Sequence, residues 1–144
     1  MPLTLRRADA KDCALVLSFI RDLASYEQLM AEFQATEEKL QATLFSEKPC
    51  AECVLAFVDD APAAFAIFHA NYSTFLAKPG LYVEDLFVKP AFRKRGVGRA
   101  LLAHIAKLAN ERGCGRVEWT VLDWNEPAID FYKTFGASPL DDWR

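Results

Sequence analysis

Apolar and polar residues alternate over Leu3–Arg6, the period of a strand with one buried face. The period then changes. Ala14, Val16, Leu17, Phe19, Ile20 and Leu23 recur at helical spacing behind Asp9, a capping residue, and predict a helix over Ala10–Tyr26. Glu27–Gln34 reads as a loop or short turn. Thr36-Glu-Glu-Lys puts a capping hydroxyl and two acids at the start of a second helix, predicted to reach Phe45. Glu52–Val58 and Ala63–Asn71 read as strands joined by the turn Asp59-Asp60-Ala61-Pro62. Ser73–Gly80, with its Pro79-Gly80 pair, reads as a loop.

The second half is more sharply punctuated. Leu81–Val88 predicts a strand ended by Pro90. A glycine-containing loop then leads into a helix to about Arg112, with Val97, Leu101, Leu102, Ile105 and Leu108 along one side and Gly113 as its stop. Arg116–Leu122 predicts another strand. Asn125 as cap, Pro127 in the first turn and Gly136 as the stop predict a helix ending at Phe135. Strands alternating with helices, without a linker or repeat, give one α/β domain over residues 1–144.

A chain of 144 residues buries about 68–70% of its unfolded surface, so it needs no disulfide or metal to build a core. A hydrophobic fraction of 52% with 26% charged residues excludes intrinsic disorder. No apolar run reaches the ~18–20 residues that span a bilayer, so no membrane partner is expected, and the N-terminus lacks the apolar stretch of a signal peptide. The net charge of −3 argues against nucleic acid and fits a cationic partner. Four cysteines without a secretory signal predict reduced thiols and a cytoplasmic location.

The chemistry-bearing motif is Arg93-x-x-Gly96-x-Gly98 between a strand and a helix. Its successive N–H groups can converge on an anion, and the helix adds the positive end of its dipole. Arg93, Lys94, Arg95 and Arg99 add charge, so a pyrophosphate is the natural occupant; the plain alternative is a turn needing two glycines among solvated cations. Gly98 is followed by Arg99-Ala100, which excludes a Walker A loop, and Leu101 stands where a dinucleotide fingerprint needs its third glycine. Cys50-x-x-Cys53 has no second pair, and His69 and His104 lie on other elements, so no metal is expected. Cys13 and Cys114 read as small core residues.

Preceded by Tyr82-Val83-Glu84-Asp85-Leu86-Phe87-Val88, this loop resembles the acetyl-CoA motif of the GNAT N-acetyltransferases. The run Glu118-Trp119-Thr120-Val121-Leu122-Asp123-Trp124-Asn125-Glu126-Pro127, continuing to Phe131-Tyr132 and Gly136-Ala137, joins Leu23-Ala24-x-Tyr26-Glu27 in resembling the diamine (spermidine/spermine) and thialysine acetyltransferase subfamily. The resemblance implies a mixed, mostly antiparallel sheet of about six strands flanked by about four helices, splayed between the strands near 81–88 and 116–122. It further implies transfer of acetyl from acetyl-CoA, with no metal, to a primary amine of a small cationic substrate. A last strand beyond Trp143 belongs to the family pattern; this sequence ends at Arg144, and a homodimer is the expected state.

In that reading the pantetheine arm pairs with backbone at Leu86, Phe87 and Val88, and an N–H near Phe87 holds the oxyanion. The pyrophosphate sits on Arg93, Lys94, Arg95, Gly96, Val97, Gly98 and Arg99, and Asn125 contacts the pantetheine. Glu84 is the base or a substrate ligand, with adjacent Asp85 an equal candidate for the proton; Tyr132 protonates the departing thiolate. Tyr26, Glu27 and Glu118 line the amine pocket. The alternatives are acetylation of a protein N-terminus or lysine, and a non-catalytic acyl-CoA sensor.

Overall fold

The computed structural model describes residues 2–120. Five strands among these residues, β1 (Leu3–Arg7), β2 (Glu52–Val58), β3 (Ala61–Ser73), β4 (Lys78–Val88) and β5 (Val117–Trp119), form one sheet in sequence order. Every neighbouring pair is antiparallel except β4 and β5, which run parallel. Helices α1 (Cys13–Tyr26) and α2 (Glu37–Thr43) precede β2, and α3 (Val97–Glu111) carries the chain from β4 to β5. The helix predicted to end at Phe135 lies outside the described residues.

Local chemistry explains these boundaries. Asp9 and Asp12 form a capping box: the Asp9 carboxylate accepts from the Lys11 N–H at 2.9 Å, and Asp12 accepts from the Asp9 N–H at 2.9 Å. The first turn, Ala10–Asp12, is a 3-10 turn. Thr36 caps α2 through the Lys39 N–H at 3.2 Å. Asp59 and Asp60, with φ of 50° and 66°, make the two-residue hairpin whose twist matches its strands, so β3 begins at Ala61 instead of Ala63.

The loop predicted at Ser73–Gly80 is instead a tight hairpin. Its turn is closed by the Ala77 N–H on Thr74 O at 3.3 Å, with Ala77 at φ 51°. Pro79 does not break the ladder. The Leu81 N–H points to β5, bonding Arg116 O at 3.1 Å, so by alternation the missing N–H of Pro79 also faces away from β3.

The sheet separates two apolar layers. On one face Val16, Phe19 and Leu23 of α1 pack with Leu40, Leu55, Phe65, Ile67 and Phe87, and the Phe19 and Phe65 rings stack at 5.1 Å. On the other, Val97, Leu101 and Ile105 of α3 cover Val54, Phe68, Leu81 and Val83. Each such side chain contributes about 1.5–3 kcal/mol on burial. Gly113, at φ 72°, ends α3, and the Cys114 N–H returns to Ala109 O at 2.9 Å. Cys13 is buried; Cys114 is half-buried against the α3 layer.

Candidate active site

In the β3–β4 ladder Ile67 faces Asp85 and Phe68 faces Val83, so Glu84 is an inserted residue at a β-bulge. Before it, Leu81 and Val83 join the α3 layer; after it, Leu86 and Val88 do, while Phe87 packs on the α1 side. Two consecutive carboxylates, Glu84 and Asp85, therefore share the face turned to α1. Glu84 is exposed, and its Oε2 lies 3.7 Å from His69 Nε2. His69 is the β3 partner of Tyr82, and their rings lie 5.3 Å apart.

Asp85 is half-buried and feels both like-charged neighbours. Burial first, then Glu84, then Glu27 push its carboxyl up to about 7. Glu27 caps the C-terminal end of α1, and burial raises its carboxyl too. Tyr26, just before it, tilts against Phe87 at 6.0 Å. The structure thus brings together Tyr26, Glu27, Glu84 and Asp85. Glu118 stands on the same face as the β5 partner of Tyr82, but it is engaged: Arg116 Nε is 2.9 Å and Asn71 Nδ2 3.0 Å from its Oε1. Asn71, Arg116 and His69 are not among the site residues the sequence predicts, since nothing in their local pattern announces the partners that pairing gives them.

Among the described residues β4 has a one-sided ladder beyond the bulge. Among the described residues β5 pairs only with Leu81–Val83, whereas β3 pairs on to Val88. The Lys89 N–H reaches Ala63 O at 2.9 Å, so by alternation Phe87 and Asp85 direct their backbone groups to β3. The groups turned toward the β5 side belong to Leu86 and Val88. The N–H of Phe87 is thus turned to β3, and the outward N–H groups near it are those of Leu86 and Val88.

The glycine loop opens α3. Lys94 and Gly96 hold φ of 63° and 80°, a left-handed path in which a non-glycine residue at 96 is strained. Among the described residues, chain neighbours aside, a Cβ on Gly96 would meet nothing within 4 Å. Among the described residues no side chain caps α3, and no acid lies in its first turn, so its leading N–H groups and dipole can face an anion. Lys94, Arg95 and Arg99 are exposed around them. Arg93 turns back instead: its Nε donates to Val88 O at 2.9 Å, and its guanidinium lies 4.9 Å from the Tyr26 ring centre and 5.5 Å from that of Phe87.

Asn125 and Tyr132 lie outside the described residues. Cys53 is buried, its thiol pushed up to about 12 mainly by burial, while Cys50 is exposed. Among the described residues no three His, Cys, Asp or Glu side chains cluster in a way that could hold a metal ion. Nor, among them, is any helix long and apolar enough to cross a membrane.

Residues 19–137 match the Acetyltransferase (GNAT) family. The sequence is 36% identical to the thialysine N-epsilon-acetyltransferase of Sus scrofa over 146 aligned positions, covering 96% of this chain and 85% of that protein. It is 31% identical to an L-ornithine N5-acetyltransferase of Arabidopsis thaliana, covering 97% of this chain and 81% of the relative. Among solved structures, an integron cassette protein from the mobile metagenome of V. cholerae superposes with a TM-score of 0.83 at 27% identity, over 100% of this chain and 90% of that one.

Proposed function

Because the chain belongs to the Acetyltransferase (GNAT) family, we propose that it moves the acetyl group of acetyl-CoA to the primary amine of a small cationic substrate, within a ternary complex. The observation that carries this reading is the grouping of Glu27, Glu84 and Asp85 on one sheet face, beside the end of β4. Carboxylates so placed attract an ammonium group, and the relatives named for thialysine and ornithine act on amino acids that carry a side-chain amine.

The acyl donor fits the other half of the site. A pantetheine arm can add to β4 as a strand would, using the outward backbone of Leu86 and Val88. The pyrophosphate would rest on the N–H groups between Lys94 and Arg99, where the open space at Gly96 admits it and the neighbouring cations balance its charge.

An alkylammonium ionises near pH ~10, so the substrate arrives protonated and a base must take the proton. Asp85, held near about 7, is better matched to that task than an ordinary carboxylate, leaving Glu84 and Glu27 as ligands of the ammonium. The freed amine attacks the thioester carbonyl, and the outward N–H groups of Leu86 or Val88 hold the oxyanion. Collapse breaks the C–S bond. Tyr132 gives its proton to the departing thiolate and regains one from the attacking nitrogen, which sheds its second proton as the amide forms, leaving an acetamide and coenzyme A.

A mass-spectrometric screen of acetyl-CoA with diamines, polyamines and amino acids bearing side-chain amines tests the reading. Acetylated small cationic amines are the expected products. Acetylation confined to peptide N-termini, or no acetyl transfer at all, would overturn it.

A further inference from the structure

We infer that Arg93 is a positioning residue that braces the amine pocket against the acyl-donor strand, and is not a ligand of the donor's phosphates. The inference rests on the acetyl-transfer reading and concerns how its two half-sites are joined. By its place in Arg-x-x-Gly-x-Gly, Arg93 looks like one more cation for the pyrophosphate. Its side chain runs the other way. Among the described residues it is engaged by the 2.9 Å bond from Nε to Val88 O and by the Tyr26 and Phe87 rings at 4.9 and 5.5 Å.

Those partners come from different parts of the site. Tyr26 ends α1 and is followed directly by Glu27. Phe87 and Val88 belong to the end of β4, with Asp85 two residues before Phe87. The Tyr26 and Phe87 rings meet at 6.0 Å with a 59° tilt, and the guanidinium lies over both. A planar, delocalised cation can cover two rings while its Nε donates in plane; a lysine ammonium cannot do both. Arg93 therefore sets the separation between the Glu27 wall and the Asp85 wall. Loss of the brace acts on the amine, whereas loss of a phosphate ligand acts on the donor.

The test uses two donors, acetyl-CoA and S-acetylpantetheine, the second lacking the pyrophosphate. R93M should raise the amine KM by roughly 10-fold with both donors, the size expected for losing cation–π contacts and a charge-assisted hydrogen bond. R93K should recover little. Tyr26→Leu should reproduce R93M, and the double variant should be no worse than either single one. Coenzyme A affinity, read by calorimetry, should change less than about 3-fold in R93M, against a tenfold or greater loss in K94M/R95M. A defect of R93M seen with acetyl-CoA and absent with S-acetylpantetheine, or a tenfold loss of coenzyme A affinity, overturns the inference. If the parent acetylates no amine, the acetyl-transfer reading fails instead, and the calorimetric comparison still decides the role of Arg93. If R93M does not fold, the same comparisons are made with R93K.

Discussion

Asn71 on β3 and Glu118 on β5 are hydrogen-bonded at 3.0 Å although a whole strand lies between them. The amide reaches across β4 at Gly80, the ladder partner of Asn71. A Cβ at Gly80 would sit 2.5 Å from Asn71 Oδ1 and 3.2 Å from Arg116 O. The missing side chain is what lets β3 hold an acid on the sheet's last described strand. Asn71 Oδ1 is buried with no hydrogen-bond partner among the described residues, so the amide is oriented through its donor end.

Gly80→Ala should displace Asn71 and release Glu118. We expect a loss of about 1–3 kcal/mol, the usual cost of overpacking and a broken buried hydrogen bond. Urea melts measure it. The companion Asn71→Ala/Gly80→Ala variant should recover part of the loss, since the amide that clashes is gone; a further loss of stability would contradict the steric account.

The acids of the pocket should not be equivalent. Glu118 is already compensated by Arg116, whereas Glu27 forms no ion pair among the described residues and is partly desolvated. Glu27→Gln should therefore raise the KM for a diamine more than Glu118→Gln does. Added salt should raise KM in the parent and less so in Glu27→Gln, because screening weakens the same attraction. Steady-state kinetics at two ionic strengths checks both points.

Much of this arrangement was readable beforehand, and the failures are specific. Glu52–Val58 was bounded by its own residues, and Val97, Leu101, Leu102 and Ile105 are all buried as their spacing required. Pro79-Gly80 misled because each residue answers a neighbour strand: one faces away from β3, the other makes room for Asn71. The bulge at Glu84 left no trace because both faces of β4 are apolar after it, so alternation does not mark the insertion. The amine-side acids were legible as charges. The perturbation of Asp85 was not, since it needs the fold to bury that carboxyl, the bulge to set Glu84 on the same face and α1 to bring Glu27 near.

Asp85 should make the protein less stable as pH rises. Its carboxyl titrates near about 7 when folded and near 3.8 in the unfolded chain, so the folded state binds more protons in between. The destabilisation begins near pH 4 and is complete above pH 7, amounting to roughly a few kcal/mol at most. Glu27, also raised, adds in the same direction. Asp85→Asn should melt higher than the parent at pH 8, match it near pH 4, and transfer acetyl more slowly throughout. A mutant stabilised equally at both pH values would contradict the assignment.

Asp12 should act with the opposite sign. The paired Arg6 guanidinium, at 2.7 and 2.8 Å, lowers its carboxyl to about 2, helped by the Asp9 N–H. That stability is present above the unfolded value of 3.8 and is lost as pH falls through about 2. Asp12→Ala should cost about 1–2 kcal/mol at neutral pH, the range for a helix cap with a charged partner. The gap between parent and variant should close between pH 4 and pH 2 in thermal melts.

Tyr132→Phe tests the proposed acid. General-acid catalysis is worth about 10²–10⁴, and a thiolate leaves readily enough on its own to reduce that. We expect kcat to fall by roughly 10–10³ with acetyl-CoA affinity unchanged. A donor with a better leaving thiol should rescue the variant more than the parent. Full kcat in Tyr132→Phe would assign the proton to another group.

The bulge has an evolutionary corollary. Removing Glu84 would let Val83 and Asp85 oppose Phe68 and Ile67 in unbroken succession, and every core residue of β4 would keep its face. A regular strand one residue shorter would thus present the same two apolar faces. A single inserted codon would supply the second carboxylate and disturb the adjoining ladder, without requiring either apolar layer to repack. Acidic chemistry could enter such a scaffold in one genetic event.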